Sequence, residues 1–408
     1  MPSEKLSEKL KSLGVQLGAT GLLQKKTTSF PIEREISGFL EESQSGFVFY
    51  THKIYEPGFR HGNISLHANF DFPVHTRWAR IPTAEPYYPQ DLLFLDTETT
   101  GLAGGTGTLV FMIGLGFFQE DGFHLMQLFL KNPADSEAFL LKLEKIAEPF
   151  KALVTYNGKS FDIPLLNSQC ILNHFNPFLK NRVHYDLLAL ARRLWSNRLP
   201  NRTLHDVEHE ILQVIRSSEE IPGWMIPQLY ADYLRTEDSR PLVGVFYHNE
   251  IDILSLAALF VHTAALFSNP VDYSGQLLID LFSIARLFED LGDEEKSYIL
   301  FDHCLKNNIA SEFLPGVIHH LALYHRRRNE WDQAVSLWQT AAELDDVFSC
   351  IELAKYYEHV VKDYSSALNW SQKAFQISNL HFRFNNNLEE IKYRQVRLER
   401  RILNRDGS

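Results

Sequence analysis

Apolar and polar positions change rhythm three times along the chain. Over the first 85 residues the pattern is weak. Leu6, Leu10 and Leu13 are spaced for a short amphipathic helix, and aromatic alternation at Gly46–Tyr55 predicts some β structure. From Asp91 the apolar runs lengthen. LLFLDTETT reads as a buried strand, a short apolar run closed by polar residues. TLVFMIGLGFF and FHLMQLFL read as two more, separated by the turn signal QEDG. Helical spacing follows at Phe139, Leu140, Leu143 and Ile146, behind Asp135-Ser. ALVTYN predicts a fourth strand, residues 161 to about 173 a helix, and RVHY a fifth strand, after which Asp186 stands where it can cap the helix LLALARRLW.

From about Gln276 the pattern is helix after helix. Ala285, Ala322 and Ala354 recur at spacings of 37 and 32, while Ala334 and Ala367, like Ala341 and Ala374, are 33 apart. These spacings lie near the tetratricopeptide period of about 34 residues, whose small side chains let paired helices pack closely. Asn329 and Val361 stand where a turn glycine is usual. The expected architecture is therefore α/β followed by all-α. Residues 1–85 form an N-terminal extension, 86–270 a mixed sheet flanked by helices as in ribonuclease-H-like folds, and 276–405 a tetratricopeptide-like helical repeat domain.

Composition narrows the class. The chain has 408 residues, enough for two or three domains at about 100–200 residues each. With 45% apolar and 12% aromatic residues it is globular rather than disordered. Cys170, Cys304 and Cys350 form neither a disulfide framework nor a zinc-ligand spacing. MPSEKLSEKLKSLG lacks the apolar core of a signal peptide, and the apolar run 253–267 contains His262 and Thr263 and is short for a membrane span. These features predict a cytoplasmic protein with no membrane partner.

Charge is less decisive. The net −11, from 40 basic and 51 acidic residues, argues against nucleic-acid binding through net charge alone. Locally the balance reverses. Residues 180–202 carry six basic side chains against Asp186, and residues 383–405 carry seven against Glu389, Glu390 and Glu399. Each stretch is as compatible with a solvated helix face as with phosphate contact.

The chemistry starts at Asp96-Thr-Glu98. Side chains two apart on a strand face the same way, so both carboxylates project from one sheet end, where their repulsion is costly. A hard divalent cation, magnesium or manganese, relieves it. Asn157-Gly-Lys-Ser-Phe-Asp162 follows the fourth strand, and His248-Asn-Glu-Ile-Asp252 opens an apolar helix. Four carboxylates suffice for two metal ions, which together stabilise the attacking and leaving oxygens of a phosphodiester.

Asp96, Glu98, Asp162 and Asp252, in that order, resemble the four acids of the DEDD superfamily of 3′→5′ exonucleases. DTETTGL is similar to the proofreading exonucleases, and N-x-x-x-F-D matches the second motif of the superfamily. The resemblance covers residues 91–267. DLLALARRLW, IPGWMIPQLYADYLRT and YHNEIDILSLAAL further resemble the bacterial YprB-type group, ribonuclease-H-like exonucleases carrying tetratricopeptide repeats. The third motif departs from both common patterns, which place Tyr four residues or His five residues before the last Asp. Here His248 takes the four-residue position and Tyr247 the five. Positions i and i+4 share a helix face, so His248 should lie alongside Asp252, and a neutral imidazole is the better proton acceptor. His248 is assigned as base or water-orienter, and Tyr247 as the second choice.

The implied activity is metal-dependent 3′→5′ exonucleolytic cleavage with two Mg2+ or Mn2+ ions, on DNA with a 3′ end, in repair or processing. An RNA exonuclease, or a repeat-based scaffold with a vestigial nuclease site, is the alternative. Thr99 and Gly101 would let a nucleotide approach the sheet end, Lys159 would touch phosphate, and Asn157 would brace the second motif or touch substrate. The repeats would bind a protein partner, a helicase on the group resemblance, or alternatively guide nucleic acid through Arg326-Arg327-Arg328.

Overall fold

The computed structural model describes residues 30–82, 85–101, 107–271, 277–380 and 388–406. The helix expected on Leu6, Leu10 and Leu13, and Arg383 of the second basic stretch, lie outside these residues.

Seven strands form one mixed sheet: β1 (Phe39–Ser43), β2 (Gly46–Tyr55), β3 (Leu92–Thr99), β4 (Val110–Gln119), β5 (Gly122–Phe129), β6 (Ala152–Thr155) and β7 (Val183–Asp186). Their spatial order is β1-β2-β5-β4-β3-β6-β7. β3, β4 and β5 are the hairpin succession read from the sequence, and β6 and β7 add in parallel beyond β3. This is a ribonuclease-H-like sheet. Two edge strands from the N-terminal segment extend it past β5.

Pleat parity divides the interior in two. Leu92 and Phe94 of β3 face one core, Leu93 and Leu95 the other, and all four are fully buried, as a central strand requires. On the second side lie α1 (Ser136–Ala147), α2 (Asp162–Leu172) and α4 (Ile226–Thr236). On the first lie α3 (Leu187–Trp195) and the long α5 (Val243–Ser268). By length and composition α5 could cross a membrane, but here it is mostly buried from Ile253 onward, which accounts for the lack of a polar face there. It runs against β3, β4 and β5. The approach is so close that a Cβ on Gly114 would stand 2.5 Å from Asn249 Oδ1.

Seven further helices follow, each packed on the next: α6 (Leu278–Asp290), α7 (Glu294–Lys306), α8 (Leu314–Arg327), α9 (Trp331–Glu343), α10 (Val347–Tyr356), α11 (Tyr364–Leu380) and α12 (Leu388–Asp406). The recurring alanines 285, 322, 334, 341, 354, 367 and 374 are all fully buried. Left-handed backbone closes the turn of successive pairs at Gly292, Asn329 and Lys362. The last position is one residue beyond Val361, which ends a π-helical turn instead.

The core does not break where the composition changes. Leu281, Phe288 and Leu321 belong to the same apolar cluster as Phe260, Phe267 and Leu194, and Arg198 on the α3 side pairs with buried Asp280 at 2.7 Å. A chain ending at Phe267 would therefore uncover the α5 surface against which α6 packs.

Candidate active site

Three elements deliver the four acids. β3 carries Asp96 and Glu98 on one face, both partly exposed between the buried Thr97 and Thr99. Thr97, pointing the other way, donates to Asp162, the first residue of α2. The path from β6 into α2 is a tight turn with left-handed backbone at Asn157. Asp186, at the end of β7, fixes that turn by accepting from the amides of Asn157 (2.8 Å) and Lys159 (3.1 Å), besides capping α3 through Leu188 (3.2 Å). Asp186 thus braces the second motif, and its oxygens are committed to backbone N–H groups.

α5 brings the third element. Helical spacing sets His248 beside Asp252, with Nε2 3.4 Å from Asp252 Oδ2 and 3.9 Å from Glu98 Oε1. Tyr247 points elsewhere, its hydroxyl accepting from the Ser217 amide at 2.8 Å. Between them in function sits Asn249, fully buried. Its Nδ2 donates to Asp96 (3.1 Å), while its Oδ1 accepts from buried Gln127 (3.1 Å). The bare face of Gly114 leaves room for this amide.

The acids repel one another. Burial, then the charges of Asp252, Asp162 and Glu98, push the Asp96 carboxyl well above the usual carboxylate range. Burial and the same neighbours Asp252 and Asp162 do likewise to Glu98. Asp162 is raised to about 6, mainly by burial, against the opposing hydrogen bond from Thr97. This convergence of like charges is a built-in preference for positive charge.

Part of that charge comes from Arg216, which sequence reasoning missed. Its guanidinium is 7% exposed. It forks onto the buried Glu208 at 2.6 and 2.7 Å, reaches Glu220 at 2.7 Å, and pairs with Asp252. Burial alone would favour losing its proton, but Glu208, Asp252 and Glu220 outweigh that and hold it charged. Glu220, also missed, lies 2.8 Å from His248 Nδ1, nearer than the Arg216 nitrogen at 3.3 Å. This carboxylate at Nδ1 fixes the ring so that Nε2 is turned toward Asp252 and Glu98. No spacing rule links Arg216 to Glu208 and Asp252, 8 residues upstream and 36 downstream.

The remaining expected residues ring this centre. Thr99 is buried and donates to the Gly101 carbonyl at 2.8 Å, closing the β3 end just past Glu98. Asn157 and Lys159 give their amides to Asp186 and expose their side chains.

Four carboxylates, Asp162 buried and the other three partly exposed, offer hard oxygen donors that suit a divalent cation, and their mutual repulsion fits one. As they stand, Asp252 is held by Arg216, Asp162 by Thr97 and Asp96 by Asn249. Among the described residues no three His, Cys, Asp or Glu side chains already form a coordination group.

The RNase_H superfamily profile matches residues 93–264, the span from the start of β3 to the second half of α5. Over 332 residues the chain is 29% identical to a Bacillus subtilis (strain 168) protein bearing the name "Uncharacterized protein YprB", covering 78% of this chain and 77% of that one. Among solved structures, the family B DNA polymerase of Pyrobaculum calidifontis aligns at 18% identity with a TM-score of 0.33. That alignment takes in 60% of this chain, which spans only 30% of the polymerase.

Proposed function

We propose that this chain is a divalent-cation-dependent 3′→5′ exonuclease that hydrolyses phosphodiester bonds of nucleic acid, DNA in preference to RNA, in repair or processing. The observation that carries the reading is that His248 stands beside Glu98 and Asp252 at one end of a ribonuclease-H-like sheet, with Asp96 on the same strand face as Glu98 and Asp162 bound to Thr97 between them. The four acids would hold magnesium or manganese ions, which when bound supply the positive charge that stabilises the attacking and leaving oxygens.

The protein's own groups account for the proton. His248 Nε2 accepts it from the attacking water, and the imidazolium that results is stabilised by Glu220 on one side and Asp252 on the other. Water oxygen bonds to phosphorus, the P–O3′ bond to the penultimate nucleotide breaks, the O3′ left on the shortened strand takes a proton from solvent, and a 5′-mononucleotide leaves. Asn249 and Thr97 orient Asp96 and Asp162. Thr99 and Gly101 shape the floor on which the terminal nucleotide rests, with Asn157 and Lys159 at its side.

The C-terminal helices are read as a protein-binding surface, with a helicase as the partner implied by the sequence resemblance. Two arginines of the Arg326-Arg327-Arg328 run are occupied: Arg326 pairs with Glu352 at 2.6 Å and Arg327 with Glu294 at 3.1 Å. That pairing counts against a phosphate-guiding role.

The test is a panel of matched single-stranded and duplex DNA and RNA, labelled at the 5′ end and incubated with Mg2+ or Mn2+. A ladder shortening from the 3′ end on DNA, absent in Asp96→Ala/Glu98→Ala, is expected. Internal cuts, or cleavage undiminished in that variant, would overturn the reading.

A further inference from the structure

Two clefts flank the turn that carries the second motif. One, of about 430 Å³, is lined by Lys159, Lys180, Arg182 and His184. The other, of about 470 Å³, is lined by Tyr156, Asn157, Arg192 and Arg202. No acid lines either cleft. The nearest carboxylate, Asp186, has spent its oxygens on backbone amides beneath the turn, and Asp206, beyond the second cleft, is turned to Thr203 at 2.6 Å.

The contrast with the rest of the basic surface is sharp. Arg193 and Arg198 of the first basic stretch are consumed by Asp290 and Asp280, where they tie α3 to α6. In the second stretch, Arg394 and Arg397 both serve Glu358, at 2.6 and 2.7 Å. Among the described residues, the exposed side chains of Lys159, Lys180 and Arg192 form no ion pair. Arg182 and Arg202 donate to neutral carbonyls, Ala147 at 2.7 Å and Leu199 at 2.9 Å. On a chain of net charge −11, Lys159, Lys180, Arg192 and Arg202 thus stand in two acid-free clefts on either side of the turn that leads into Asp162.

We infer that this turn is the saddle over which the substrate strand runs. Its phosphodiester backbone would be held by Lys159 and Lys180 on one side and by Arg192 and Arg202 on the other, while the 3′ end reaches the four acids. The inference rests on the proposed nuclease reading and adds to it the path of the uncleaved part of the strand. Side chains that meet only phosphates read no bases, so the track accepts any sequence. A single strand fits it better than a duplex, because both clefts border one short turn.

Binding of a fluorescein-labelled oligothymidylate to the full chain, followed by anisotropy in EDTA so that nothing is cut, tests this directly. For single strands, log Kd changes with log salt by about 0.7 per phosphate neutralised. Lys159→Gln, Lys180→Gln and Arg192→Gln should each flatten that slope by about 0.7, and the triple variant by about 2, with weaker binding in step. Arg327→Gln, already neutralised in the wild type, should change neither. If the wild type binds and cleaves but the triple variant keeps wild-type affinity and slope, the strand runs elsewhere and the inference fails alone. If the wild type neither binds nor cleaves the oligonucleotide, the nuclease reading itself fails.

Discussion

Glu220 Oε1 stands 2.8 Å from Nδ1 of His248, and across the ring Nε2 stands 3.4 Å from Asp252. The ring is tied down at Nδ1, and its Nε2 is turned toward the acid centre. His248→Ala should lower kcat by about 10²–10⁴-fold while oligonucleotide affinity stays nearly intact. Glu220→Gln should cost less, because the ring remains but loses the carboxylate at its Nδ1. Tyr247→Phe should cost least, since its hydroxyl serves the Ser217 amide. Steady-state kinetics on a labelled oligonucleotide orders the three, and a larger loss in Tyr247→Phe than in His248→Ala would move the base to the tyrosine.

The crowded acids should be a stability burden in chelator. Asp96→Asn removes one of the buried charges raised by its neighbours and keeps an atom for Asn249 to meet. Its unfolding temperature in EDTA should exceed that of the wild type, with cleavage lost. A fall in unfolding temperature would mean that the four charges are already compensated.

Arg216 should behave in the opposite way. Removing it leaves Glu208, 1% exposed, and Asp252 without their cation. Arg216→Met should cost about 3–5 kcal/mol of stability, and Arg216→Lys should restore part of it. Chemical denaturation measures both. A loss under about 1 kcal/mol would show that water already screens the pair.

Acid should loosen the N-terminal segment. His75 lies fully buried against Phe260, bonds Thr263 at 2.8 Å, and has its pKa lowered by burial to about 3. The unfolded chain takes up this proton below about pH 6.5, the folded chain only near 3, so the stability it contributes is present above 6.5 and lost as pH falls. Between pH 7 and 5 the wild type should lose about 2 kcal/mol more than His75→Phe, as read from urea unfolding at each pH. Equal losses in the two would place the titration elsewhere.

Much of the mixed-sheet region was legible because its strands are short apolar runs and its acids sit at their ends. Period-two alternation alone puts Asp96 and Glu98 on one face, and i, i+4 spacing alone sets His248 beside Asp252. Other features had no local signal. β1 is a short edge strand bearing Glu41 and Glu42, too polar to stand out. Asn249 and Gln127 look like ordinary polar residues until α5 is laid across Gly114. Arg216 lies in a polar stretch, and its three carboxylates come from separate turns of chain. The continuity of the core from α5 into α6 was hidden for a related reason. The change from mixed to purely helical periodicity marks a change of architecture, whereas burial depends on which faces meet.

Whether the four acids act as one metal-dependent centre is read best at Asp162, because it comes from a different element than Asp96, Glu98 and Asp252. Asp162→Asn keeps the contact with Thr97 and the shape of the turn. The measurement is release of 5′-mononucleotides from a single-stranded DNA in Mn2+, for the wild type and this variant, with a chelator control. Release by the wild type, abolished both by chelator and by Asp162→Asn, is the predicted result; release by the variant at near wild-type rate, or release that persists in chelator, would contradict the account.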